Sequence, residues 1–196
     1  MVQKLYDKNS SKEKTAFILA AAAIVISLLI KEPFSWYTVK FAILGWILLT
    51  VSIIDYRYLI IPDELLAAGI ICYVPVSIMC GESIMQIAAD IFLHGPSVAL
   101  PLLLFVLLAD WFTGKETMGF GDIKLFFLIG IYLGAAYTLL VLFLACVLAL
   151  VLYAVTSQRD SGEPFPFGPS ISAAAWIAVL WGQPVLEWYM AFLTGK

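Results

Sequence analysis

The chain has 196 residues, of which 63% are hydrophobic and 13% charged, with a mean hydropathy of +0.99. Soluble domains run at about 45–50% apolar and about 25% charged, and no soluble fold of this size has an interior for so much apolar surface. The formal net charge of −3 is small, and the 11 Lys and Arg sit in short connections without forming a nucleic-acid-binding patch. What remains is an all-α polytopic membrane protein, a bundle of about seven spans (six to eight), in one domain covering residues 1–196.

Residues 1–14 form a polar, basic leader with no periodicity, expected to be flexible and cytoplasmic. Lys12-Glu13-Lys14 before the apolar stretch 15–30 has the charged and apolar regions of a signal peptide. The following Lys31-Glu32-Pro33 lacks a small-x-small cleavage pattern, so a retained first helix is expected. Further apolar runs lie at about 37–54, 65–80, 87–109, 123–134, 136–156 and 170–193. In the run at 87–109, His94-Gly95-Pro96 and Pro101 predict a kink or a late start. His94 reads as a polar residue tied to that kink, and Asp90 and Asp110 read as interfacial charges. Phe165-Pro166-Phe167-Gly168-Pro169 holds two prolines and a glycine in five residues and predicts a shaped loop before the last span. Cys72, Cys80 and Cys146 form no C-x-x-C pair, so neither a zinc site nor a disulfide framework is expected; metal and cofactors are both expected to be absent.

Two acids stand out by position. Asp55 closes the run at 37–54, and Asp122 opens the run at 123–134 within Met118-Gly119-Phe120-Gly121-Asp122-Ile123-Lys124-Leu125. A carboxylate at mid-bilayer costs from about 2.5 kcal/mol upward, so an acid beside hydrocarbon is a functional hypothesis by default. With the N-terminus inside, the inner loops carry eight basic residues, from Lys4 to Arg159. The outer set is Lys31, Lys40 and Lys196. The positive-inside rule then favours a cytoplasmic N-terminus and sets Asp55 and Asp122 on the cytoplasmic side together. Two carboxylates within reach of one water cannot both stay ionised, which suits peptide hydrolysis without a metal. By helix-end electrostatics Asp55, near a negative end, is expected to hold the proton, and Asp122, near a positive end, to be the base. Gly119 and Gly121 permit positive φ and close approach of a substrate backbone in the strand-addition manner; Lys124 would meet lipid headgroups or an acidic substrate residue. The plain alternatives are a helix N-cap for Asp122 and a cap of the next span for Asp63.

Gly119-Phe120-Gly121-Asp122-Ile123-Lys124-Leu125 resembles the G-x-G-D-x-K-L motif of type IV prepilin peptidases. Asp55 to Asp63 resembles that family's first aspartate segment, and Pro166-Phe167-Gly168-Pro169 its P-F-G-P element. The resemblance implies a multi-pass aspartic endopeptidase of the bacterial inner membrane, with catalytic Asp55 and Asp122 facing the cytoplasm. Its partners would be prepilin or pseudopilin substrates, met through their leader peptide and apolar helix, and membrane lipid. No C-x-x-C pair precedes Asp55, so the resemblance is to a short form without the cysteine-rich methyltransferase region. The sequence neither supplies an AdoMet site nor excludes one. The rival readings are another G-x-G-D intramembrane protease, or a small transporter or assembly protein that binds protons or a cation.

Overall fold

The structure is a computed structural model that describes residues 22–24, 26–28, 30, 34–156 and 165–194, and it is helical throughout, with no strand among the described residues. The expected leader, most of the stretch at 15–30, the connection at 157–164 and Lys196 lie outside these residues. Helix α1 runs Trp36–Tyr58, α2 Asp63–Met79, α3 Ile84–Thr113, α4 Phe120–Leu133, α5 Ala135–Thr156 and α6 Gly168–Thr194. Each corresponds to one apolar run. Lipid leaves no solvent for unpaired backbone groups, so an apolar run of this length folds as a helix.

Among the described residues, four helices are long and apolar enough to cross a membrane: α1, α3, residues Ala135–Ala154 of α5 and Gly168–Trp188 of α6. Helices α2 and α4, with 17 and 14 residues, are shorter. Helix α4 is about 21 Å long at 1.5 Å per residue, and most of it is buried, including Leu125, Phe126, Leu128 and Ile129. Beyond Lys124 it is apolar all round because its neighbours surround it: α3, α5 and α2 all pack against it. Helix α1 packs on α2 and α6, and α5 on α6. The outer surface carries Leu104, Phe105, Trp111, Phe143 and Leu150 exposed, the apolar exterior that a bilayer favours.

The start of α3 is set by a capping box, in which Ser83 and Gln86 each satisfy the other's backbone N–H. The expected kink near Pro96 takes the form of a π-helical turn over Asp90–His94. Pro96 has no N–H to donate, and Gly95 donates instead to the carbonyl of Asp90, five residues back. The same place is where α4 crosses. A Cβ on Gly130 would lie 2.6 Å from the His94 carbonyl oxygen and 3.0 Å from the Gly95 Cα, so only glycine allows the two backbones this approach.

Near the start of α1 the bundle holds a polar cluster. Lys40 is not in a loop, as its place in the charge count supposed, but in the second turn of α1 and buried. Its Nζ donates to Glu82 Oε1 at 2.8 Å and Oε2 at 3.0 Å, and lies 4.4 Å from the centre of the Tyr73 ring. Tyr73 donates its hydroxyl to Asp90 Oδ2, and His94 Nδ1 lies 2.8 Å from Asp90 Oδ1. Asp90 and His94 are therefore members of an interhelical network rather than isolated interfacial and kink residues.

Candidate active site

The other end of the bundle gathers the site. Asp55 lies in the last turn of α1, which ends when the Leu59 N–H closes on the Asp55 carbonyl at 2.8 Å. Leu59 takes a left-handed conformation, with φ 55° and ψ 36°. That conformation costs a non-glycine residue about 1–2 kcal/mol, and here it turns the chain sharply into Ile60-Ile61-Pro62. Asp122 is the third residue of α4, whose N-cap position is Gly119. No side chain caps this helix end, so the N-cap alternative for Asp122 does not hold.

The loop that delivers Asp122 is held by Asp110. Its Oδ1 accepts from Thr117 N–H at 2.7 Å and from Thr117 Oγ1 at 2.6 Å, after Gly114 ends α3 at φ 66°. Asp110 is thus a loop anchor and not only an interfacial charge.

Asp55 and Asp122 line one open cavity of about 640 Å³, together with Tyr58, Leu59, Ile61, Pro62, Gly119 and Gly121. The candidate residues Asp55, Asp122, Gly119, Gly121 and Lys124 all border it. Asp55 is 6% exposed, and its Oδ2 accepts the Gly168 N–H at 2.8 Å from the start of α6. Asp122 lies outside the four spans, and its carboxyl is pushed up to about 7, first by burial and then by the negative charge of Asp55, against the support of the Gly119 backbone. The two acids therefore feel one another across the cavity.

Neither Gly119 nor Gly121 uses the positive φ that glycine permits. Gly119 has φ −70°, and the positive-φ glycines among the described residues are Gly81, Gly114 and Gly134. Gly121 is used for close approach: a Cβ there would meet the Ile61 Cβ at 3.0 Å, joining the α1–α2 turn to the start of α4. Lys124 donates to Asp63 Oδ1 at 2.8 Å and Oδ2 at 2.7 Å at the cavity mouth. Asp63 is consequently an ion-pair partner and not a helix cap, the cap position being Pro62. Lys124 and Asp63 also border a second, almost wholly apolar cavity of about 490 Å³ between α2, α3 and α4.

The sequence reading missed any role for Gly168. The loop expected over 165–169 is shorter than supposed: only Phe165 to Phe167 are non-helical, and Gly168 and Pro169 open α6. A second proline so close to a helix start was the available signal, since proline suits a first turn that lacks N–H partners anyway. Among the described residues no three His, Cys, Asp or Glu side chains converge as a metal cage requires, and Cys72, Cys80 and Cys146 are unpaired.

Comparison with known proteins bears on this arrangement. Residues 42–154, which include both acids, match the type IV leader peptidase family. The chain belongs to that family. Curated relatives include the prepilin leader peptidase/N-methyltransferases of Aeromonas salmonicida (strain A449), Stutzerimonas stutzeri and Pseudomonas putida. The first is 29% identical over 187 residues, 89% of this chain and 60% of the relative. The second is 32% identical over 163 residues, 81% of this chain and 55% of the relative. The third is 35% identical over 158 residues, 76% of this chain and 52% of the relative. The chain therefore spans between 52% and 60% of the length of these leader peptidase relatives. No solved structure matches it.

Proposed function

We propose that this chain is a membrane aspartic endopeptidase that removes leader peptides from prepilins or pilin-like proteins, with Asp55 and Asp122 as its catalytic pair. One observation carries the reading: two acids brought from different helices border the same cavity at one end of an apolar bundle, in a member of a leader peptidase family. A water between them would lose a proton to the ionised carboxylate as its oxygen attacks the scissile carbonyl carbon. The protonated acid would give its proton to the carbonyl oxygen, forming a tetrahedral diol. As the diol collapses, it returns a proton to the acid that gave one, and the acid that took the water's proton passes it to the leaving amine, so the pair ends ready for another cycle. This chemistry needs no cofactor.

The open cavity between α1, α2 and α4 suits an extended polar leader, and Gly119, whose Cβ would meet only Asp122 Oδ2 at 3.5 Å, leaves room for its backbone beside Asp122. Among the described residues Arg57, Lys115 and Lys124 lie at this end, and that basic bias supports a cytoplasmic active site in the inner membrane. Moving Lys40 from the outer loops into α1 strengthens that bias. The proposal is confined to cleavage.

The test is cleavage of a prepilin by the intact chain in proteoliposomes. Asp55→Asn and Asp122→Asn should each reduce cutting by at least about a thousandfold, the order expected when a required acid–base group is lost, while the protein remains folded. Cutting by either variant at the rate of the unaltered protein would contradict the pair.

A further inference from the structure

Resting on the aspartate-pair reading, the structure divides the labour between the two acids, and the deciding group comes from α6. A helix N-terminus has backbone N–H groups without intrahelical partners, and they favour negative charge. At the start of α6 the Gly168 N–H is aimed at Asp55 Oδ2, at 2.8 Å and buried. The neighbouring Pro169 has no N–H to compete with it, and Pro166 fixes the approach of the chain.

The contact requires glycine. A Cβ at position 168 would lie 2.8 Å from Asp55 Oδ2 and 3.0 Å from both its Cβ and its Cγ, so any side chain pushes the amide or the carboxylate away. Each acid has one backbone donor set against its burial, Gly168 for Asp55 and Gly119 for Asp122, and the negative charge of Asp55 adds to burial at Asp122. The helix-end argument considered each acid on its own helix and so assigned the proton to Asp55. A third helix, contributed 113 residues further on, adds a donor to Asp55 that this argument left out.

We propose that Gly168 is a positioning residue that holds Asp55 as the ionised base, leaving Asp122 as the acid that carries the proton for the substrate carbonyl. The remaining charged and titratable groups bordering the cavity are Tyr58 from α1, Asp63 and Glu64 from α2 and Lys124 from α4, with Arg57 in the last turn of α1. The first turns of α6 carry no titratable side chain. The local donor to Asp55 is thus a backbone group whose charge does not change with pH.

Gly168→Ala in the intact chain tests this, read as the pH profile of kcat/KM for prepilin cleavage. The added Cβ pushes the N–H off Asp55 Oδ2, and losing that contact leaves Asp55 protonated to higher pH. The acid limb should therefore move up by about one pH unit, and kcat should fall on the order of a hundredfold with KM nearly unchanged. A uniform loss with an unmoved acid limb would overturn the proposal. If the variant fails to fold, infrared titration of the two single variants decides the matter without activity. The Asp55 carboxyl, followed in Asp122→Asn, should lose its proton at lower pH than the Asp122 carboxyl followed in Asp55→Asn; the opposite order overturns the assignment. Failure of the unaltered protein to cut any prepilin would instead strike the peptidase reading, and the titration order would still stand or fall by itself.

Discussion

The two polar regions of this bundle share helices α1 and α2 yet solve opposite problems. Lys40 and Asp55 are both buried on α1, 15 residues and so about 22 Å apart. At the Lys40 end the acids are answered by cations or hydroxyls: Glu82 by Lys40, and Asp90 by Tyr73 and His94. At the Asp55 end two acids share a cavity and their donors are backbone N–H groups. A closed network ties α1, α2 and α3 together; the open pair leaves carboxyl oxygens available for a substrate. The lesson is that burial of an acid says little about its role until its partners are counted.

The comparison is broken most forcefully by exchanging the outcomes. Asp55→Asn and Asp122→Asn should abolish cleavage and leave the unfolding midpoint in detergent nearly unaltered, because neither acid holds the bundle through an ion pair. Lys40→Met should do the reverse. Removing one partner of a buried pair costs about 3–5 kcal/mol, read as a lower unfolding midpoint, and cleavage per folded molecule should persist. Adding Glu82→Gln to that variant should recover much of the loss. A Lys40→Met protein as stable as the parent would dissolve the distinction between the two regions.

A weaker effect sharpens the boundary. Lys124 and Asp63 pair at the cavity mouth with side chains 52% and 67% exposed. Exposed pairs contribute about 0–1 kcal/mol, so Lys124→Met should shift stability by no more than that. If Lys124 meets the substrate, KM should rise while kcat holds; an unchanged KM would confine Lys124 to its ion pair with Asp63.

The parts of this structure that the sequence revealed are those governed by the bilayer. Runs of apolar residues become helices because unpaired backbone is forbidden there, and Asp55 and Asp122 stand out because acids are costly beside them. What stayed hidden depends on partners distant in sequence. Lys40 resembled a loop charge because Glu82 lies 42 residues away, and Asp63 resembled a cap because Lys124 lies 61 residues away. Gly168 gave no local sign of its acceptor. That α4 is short was visible in the run at 123–134, but only its packing among α2, α3 and α5 explains how 14 residues are accommodated.

The central claim is that Asp55 and Asp122 act as one unit, and the most direct measurement is the titration of Asp122 with and without its neighbour. In the unaltered protein its carboxyl should lose its proton near pH 7. In Asp55→Asn the midpoint should fall, though not to the ordinary value near 3.9, because burial remains as the larger cause. A midpoint that does not move when Asp55 is neutralised would mean that the two acids are independent and that this cavity holds no catalytic pair.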